Sequence, residues 1–242
     1  MAEPNIIFGV RPVQEAVQSG QTINRIYVAK ESRAPACKGI IDAAKQQSIP
    51  FDFVPQAKIN DLTGTKEHQG IAAKISPIDY LSLKDFLSTV KETSTVLLLD
   101  QLHHPKNLGL IIRSAVGAGT SALVLTERKG ALVDESVIRA STGTVFRIPL
   151  VKAGNLSQAM QQLKDAGFWI YGLDAQGETS VFDMDWPRRT VLVLGNETKG
   201  LRPNIAKNCD ALVSIPLAND LESLNAAMAA GIALFQIAHG RG

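Results

Sequence analysis

Two different rhythms of apolar and polar positions run along the chain. Residues 5–76 alternate short apolar runs with amphipathic stretches: a helix near Val13 to Ser19, the strand IYVA, a helix near Lys38 to Gln47, then FDFV and GIAAKI. Short strands interleaved with one-sided helices predict a small α/β domain with its own core. Residues 77–94 lose the strand pattern, carry Pro77 and several Ser and Thr, and predict a linker with one short helix at 82–91. From Thr95 the apolar runs lengthen: TVLLLD, ALVLT, VFRIPLV, FWIYGL, TVLVLG and ALVSIPL, with helical patterns at 107–118, 134–141, 155–166, 201–208 and 221–238. Strands that are apolar at every position are covered on both faces, so this half predicts a parallel sheet flanked by helices. The expected class is α/β, with a small domain at 1–76, a linker at 77–94 and a larger domain at 95–242.

Composition narrows what such a fold can be. Hydrophobic residues make up 45% and charged residues 20%, too apolar a mixture for a disordered chain. No run of 18 uncharged apolar residues occurs, and the opening MAEPNIIFGVRPVQEAV lacks a basic start followed by an apolar core. Neither membrane insertion nor export is expected. Cys37 and Cys209 lie far apart without a partner motif, which fits core-filling thiols in a reducing cytoplasm rather than a disulfide framework or a zinc site. The formal charge of +2 does not by itself announce a polyanion partner. Residues 101–152, however, hold seven cations (Lys106, Arg113, Arg128, Lys129, Arg139, Arg147, Lys152) against three acids (Glu127, Asp134, Glu135), a local balance of +4 that hints at phosphate contact.

Two glycine patterns fail on context. GAGTSA at 117–122 has dinucleotide-fingerprint spacing, but it closes a helix and precedes a strand, so Gly119 reads as a helix terminator. GNETKG at 195–200 follows a strand but continues with Leu201 and Arg202, where a P-loop needs Lys then Ser or Thr.

What remains are three stretches that place polar side chains at or just beyond the C-terminal end of an apolar strand: LLLDQLHHPKNLGLIIRSA, LVLGNETKGL and VSIPLANDLESLNAAMA. Ligands of open α/β sheets bind there. Each residue also has a plain structural reading. Asn107 or Asp220 could cap a helix, Glu197 could be a solvated loop acid, and Ser223 and Asn225 could sit in the first turn of the last helix. Arg113 is harder to explain away, because Gly109 and Gly117 lie four residues to either side on the same helix face and leave it bare. Such an Arg either snorkels at a rim or offers its planar donors to a phosphate or carboxylate.

In this order and spacing the three stretches resemble the signature motifs of the SpoU/TrmH family of RNA ribose 2′-O-methyltransferases. The likeness covers 95–242, and residues 5–76, with FGVRPVQEAV and HQGIAAKI, are similar to the ribosomal-protein-like RNA-binding domain that precedes it in many members. Within the family the closest likeness is to the bacterial enzymes that methylate a guanosine of 23S rRNA. The resemblance implies S-adenosyl-L-methionine as cofactor and no metal, since the methyl donor already carries positive charge. It implies Asn107 and Arg113 as the polar pair of the first motif, Glu197 as the acid of the second, and Ser223 and Asn225 in the third. It further implies cofactor-holding loops at Leu194, Gly195, Ile215, Leu217 and Leu224, a trefoil knot threaded by the C-terminal segment, and a homodimer with sites near the seam. The last helix, with Leu221, Leu224, Met228, Ile232 and Phe235, fits such a seam or a monomer core equally.

An always-charged guanidinium makes a poor base, so Arg113 is expected to position the ribose and its phosphate and to stabilise developing alkoxide. The chain departs from the family at His104, where Asp is usual, at Thr198 and Asn219, where Gly is common, and in the AAM after Asn225. His103 and His104 lack a third ligand for a metal. These departures bear on substrate choice more than on reaction type, and two other readings stand beside rRNA methylation: a tRNA methyltransferase, and an inactive RNA-binding module. The first domain has nine cations against seven acids over 1–76, so it is expected to bind RNA by shape and a few contacts, at Arg11, Arg25, Lys74 and the HQG turn.

Overall fold

The computed structural model describes residues 5–30, 35–126 and 133–240. The chain divides into two compact units, one of residues 1–79 with 133–147 and one of residues 80–132 with 148–242.

The first unit runs β1 (Asn5–Phe8), α1 (Val10–Ser19), β2 (Ile23–Ala29), α2 (Pro35–Gln46), β3 (Phe51–Val54), α3 (Gln56–Thr63) and β4 (Ile71–Ile75). Its sheet has the order β1-β4-β2-β3, with β4 antiparallel to β1 and β2, and β3 parallel to β2. Helix α3 has a weak apolar pattern that the sequence reading passed over, yet it buries Ile59 fully against Phe8, Ala29 and Ala72. The unit is completed by residues far along the chain. After β5 (Leu81–Ser82), α4 (Leu83–Leu87), β6 (Ser94–Leu99), α5 (Pro105–Gly117) and β7 (Ala122–Thr126) comes α6 (Glu135–Ala140), followed by a 3-10 turn at Thr144–Arg147. Asp134 caps α6 by accepting from Val137 N, Arg139 lies over the Phe8 ring at 5.6 Å, and Arg147 pairs with Glu15 at 2.5 Å. Between them Gly143 has φ +84°, and a Cβ there would sit 2.8 Å from Pro12 Cα, so only glycine fits.

The segment VFRIPLV is therefore not one strand. Pro149 has no N–H for a ladder, and the strand starts only at Leu150, as β8 (Leu150–Ala153). The second unit continues with α7 (Leu156–Asp165), β9 (Trp169–Leu173), β10 (Thr179–Ser180), β11 (Arg189–Leu194), α8 (Pro203–Ala206), β12 (Ala211–Ser214) and α9 (Ala226–His239). Its eight strands are ordered β10-β12-β9-β11-β6-β7-β8-β5 and pair in parallel throughout. Every residue of β6 is buried, as the unbroken apolar run required. Successive strands from β6 extend to one side through β7 and β8, then β9 crosses to the other, so the order reverses between β6 and β11. Ligand crevices form at such reversals.

Three boundaries differ from the expectation. The stretch 77–94 contributes the edge strand β5 and puts Leu83 and Phe86 into the core; its helix is only Leu83–Leu87, begun by Ser82, whose hydroxyl accepts from Asp85 N. Helix α8 is shorter than 201–208, because Arg202 precedes Pro203 and is held extended. The last helix begins at Ala226 rather than 221. Asn219 and Asp220 both have positive φ (+58° and +54°), Asp220 caps nothing, and Asn225 is the cap, accepting from Ala227 N at 2.9 Å. Ser223 thus lies in the preceding loop. Gly119 does end α5: at φ +70° it donates to Val116 O, while Thr120 N donates to Ala115 O, both bonds of a Schellman motif. Cys37 is buried, and the half-buried Cys209 thiol is pushed up to about 12, by burial first and Asp210 second, so it is a packing residue.

Candidate active site

Helix α5 starts without a cap of its own. His104 occupies the cap position but makes no side-chain bond there, and Pro105 follows it. The acceptor comes instead from 93 residues away: Glu197 Oε1 accepts from His104 N at 3.1 Å and from Asn107 Nδ2 at 3.4 Å, while Oε2 accepts from His103 N at 3.4 Å. A carboxylate is favoured at this helix end by the orphan N–H groups and the macrodipole. Burial raises the Glu197 pKa, but bonds from its own backbone N–H, His104 N, Asn107 and His103 N outweigh it, leaving the group below its ordinary value and ionised near neutral pH.

The chain of bonds continues through Asn107. Its Oδ1 accepts from Asn225 Nδ2 at 3.2 Å, and Asn225 Oδ1 in turn accepts from Ala227 N at the start of α9. One relay therefore ties together the loops after β6, β11 and β12. It also answers the capping question for Asn107, whose amide is spent across loops and not on its own helix.

Sequence reasoning missed the residues that shape these loops. Asn196 Oδ1 accepts from Thr198 N and Lys199 N, and its Nδ2 donates to Gln101 O at 2.9 Å. Asp100, whose side chain is fully buried, is held by Arg202 through Nε at 2.9 Å to both oxygens and Nη2 at 2.7 Å. The terminal Asp of LLLD and the Arg after GNETKGL are visible in the sequence, but nothing there pairs residues 102 positions apart.

Beside the relay lies a cavity of about 460 Å³. Leu194, Gly195, Ile215, Leu217 and Leu224 all line it, together with Glu197 and Ser223. Gly195 is required by the loop itself, since a Cβ would stand 2.3 Å from Gly200 C. Thr198 is also on the cavity wall. Arg113 is not gathered into this group. It lies ~9 Å further along α5 than Asn107 and about 120° round it, exposed and without a partner among the described residues. The face it occupies is less bare than expected, because Gly109 is buried and a Cβ on Gly117 would meet Phe235 at 3.3 Å. On α9, Met228 and Phe235 are exposed and Ile232 is half-buried, so their stripe is not monomer core; Leu221 and Leu224 precede the helix.

In the first unit, Arg11 is exposed, Arg25 is paired with Asp52 at 2.6 Å, and Lys74 lies directly across from Arg25 in the β2–β4 ladder. In the HQG turn His68 points inward while Gln69 stays exposed. His68 is 1% exposed, its Nδ1 accepts from Gly70 N at 3.0 Å, and Nε2 therefore carries the proton and donates to Asn60 Oδ1 at 2.7 Å. Gln69 Oε1 accepts from Val10 N at 2.9 Å. His103 and His104 are exposed, and no cluster of metal-ligating side chains occurs among the described residues. No helix among them is long and apolar enough to cross a membrane.

Parallel strands whose end loops gather amides, a carboxylate and a hydroxyl beside a small-molecule-sized cavity form an α/β domain with a ligand crevice at a strand-order reversal. The sequence matches the SpoU rRNA methylase family over residues 94–235, and the RNA 2′-O ribose methyltransferase substrate-binding family over 6–81; the chain belongs to the SpoU methylase family. Proteins of Staphylococcus haemolyticus and Staphylococcus epidermidis, named for the TrmH family of tRNA/rRNA methyltransferases, are 32% and 33% identical over 97% of this chain and 95% of their own lengths. Among solved structures, the SpoU methyltransferase AviRb from Streptomyces viridochromogenes in complex with AdoMet superposes with TM-score 0.84 at 28% identity, covering 99% of this chain and 91% of that one. An AdoMet-bound rRNA methyltransferase from Sinorhizobium meliloti gives 0.82 at 26%, covering 98% and 87%.

Proposed function

We propose that this protein transfers a methyl group from S-adenosylmethionine to a ribose 2′-hydroxyl of RNA, with a guanosine of 23S rRNA as the target. The observation that carries the reading is the Glu197–Asn107–Asn225 relay, which joins the loops of all three motifs beside one cavity. Its volume falls within the roughly 300–1,000 Å³ of small-molecule sites. The apolar Ile215, Leu217 and Leu224 suit an adenine, and the tight Gly195–Gly200 closure keeps the loop backbone at the wall.

S-adenosylmethionine supplies, when bound, a methyl group on positively charged sulfur. The ribose oxygen gains that methyl as the carbon–sulfur bond breaks, and the hydroxyl proton leaves to water or an RNA phosphate. Glu197 is ionised but already occupied by backbone and amide donors, so it holds α5 in place rather than carrying the proton. Arg113 presents its donors to the ribose and its phosphate, where a fixed cation favours the developing alkoxide. Ser223 and Glu197 are polar groups of the cavity wall, and Asn107 and Asn225 hold the loops behind it.

This reading includes a homodimer. The unpartnered Arg113 and the exposed Met228 and Phe235 support it, since a second copy would cover the apolar stripe and bring Arg113 to a neighbouring cavity. It also includes a knotted C-terminal segment, a cytoplasmic setting, and an RNA-orienting domain at 1–76 preceding the catalytic part. The test is incubation with methyl-labelled S-adenosylmethionine and separate rRNA and tRNA pools. Label in 23S rRNA is expected; label confined to tRNA moves the substrate, and none in either refutes methylation.

A further inference from the structure

Strand β3 is an open edge of the first unit's sheet, and it carries two aromatic residues on one side. Phe53 is 54% exposed, and its ring stands edge-on to Phe51, centroids 6.0 Å apart at 89°. The Lys45 ammonium lies 6.0 Å from the Phe51 ring centre. Asp52, between the two, points to the opposite side of the pleat, where Arg25 holds it. Thus the aromatic side of the edge carries a cation and no acid from its own strand.

A single exposed ring is ordinary on a protein surface, but one on an unpaired sheet edge with a second ring and a cation beside it can receive another ring. Among the described residues, what this edge exposes is a single ring, that of Phe53. It suits a planar ring. Phe51 and Phe53 are spaced by two residues, roughly 7 Å along the strand, a separation that lets one ring brace the other while the exposed one stacks. Single-stranded RNA is recognised by splayed bases stacking on aromatic side chains, with cations taking the phosphates.

We infer that Phe53, braced by Phe51, whose ring in turn carries the Lys45 ammonium, is a stacking platform for an unpaired base of the RNA substrate. This rests on the RNA-methyltransferase reading, but it assigns a contact that none of the three motifs contains. The test is binding of the full chain, by fluorescence anisotropy, to a labelled oligoadenylate of roughly ten nucleotides and to an abasic oligomer of the same length. Wild type prefers the oligoadenylate about ten-fold or more; Phe53→Ala removes that preference, and Phe53→Trp keeps it. Both variants melt near wild type and retain cofactor affinity, because the ring is half in water. A preference unchanged in Phe53→Ala, absent from wild type, or accompanied by a changed oligomeric state overturns the platform. Wild-type transfer of label to rRNA with such a result sinks the platform alone, whereas no transfer to any RNA sinks the functional reading itself.

Discussion

Helices α1 and α5 begin in the same way and end up with different duties. Neither has a side-chain cap at its own start, and each receives one from a residue far along the chain: Gln69 for α1, 59 positions away, and Glu197 for α5. In α1 the cap is a neutral amide from a turn whose other side chain, His68, is sealed into the core. In α5 the cap is a carboxylate that also grips Asn107, and through it Asn225. The first device fastens a sheet to a helix. The second fastens three loops around a cavity, and it leaves a cation, Arg113, unclaimed two turns further on. The contrast teaches that a polar cluster which satisfies itself is architecture, and that chemistry is sought where a group is left over.

Removing the leftover group should have the largest effect. Arg113→Ala is expected to lower methyl transfer about 100- to 1,000-fold while leaving melting temperature and cofactor affinity unchanged, as measured by turnover beside a binding titration; equal loss of both would make Arg113 structural. Next comes the charged cap. Glu197→Ala leaves the His103, His104 and Asn107 donors without their acceptor, which should cost about 1–3 kcal/mol in denaturant unfolding and loosen the cavity enough to weaken cofactor binding. A pH titration sharpens this further. Because the folded pKa of Glu197 is depressed, its contribution is fully present above its ordinary value of 4.5 and is lost as pH falls below that. The stability gap between wild type and Glu197→Gln should therefore be constant from neutrality to about 5 and shrink in more acid solution; a gap that widened would reverse the assignment. The smallest effect belongs to the neutral cap: Gln69→Ala should cost about 0.5–1 kcal/mol in thermal unfolding and leave cofactor affinity unaltered.

Much of this arrangement was legible in the sequence because it is local. Unbroken apolar runs gave a parallel sheet, and the polar residues placed just past those runs are the ones that gather on strand-end loops. The failures were also physical. Leu221 and Leu224 continue the apolar spacing of α9 backwards, but Asn219 and Asp220 take left-handed conformations and Asn225 caps the helix, leaving Leu224 as cavity wall. VFRIPLV has strand-forming residues throughout, yet its first part turns as a 3-10 helix against α1. The long-range caps and the Asp100–Arg202 pair could not be read at all, since single-sequence patterns carry no information on contacts about 60 to 100 positions apart. The burial of His68 in the HQG turn was hidden for the same reason: the partners of that turn, Asn60 and Val10, lie outside the motif.

The account's central claim is methylation of a ribose oxygen, and alkali tests it directly. A 2′-O-methyl group removes the hydroxyl that cleaves the neighbouring phosphodiester, so rRNA treated with this protein and S-adenosylmethionine should show one new alkali-resistant position, at a guanosine of 23S rRNA, absent when Arg113→Ala replaces wild type. Methyl incorporation without any new resistant position, or resistance that survives the Arg113 substitution, would contradict it.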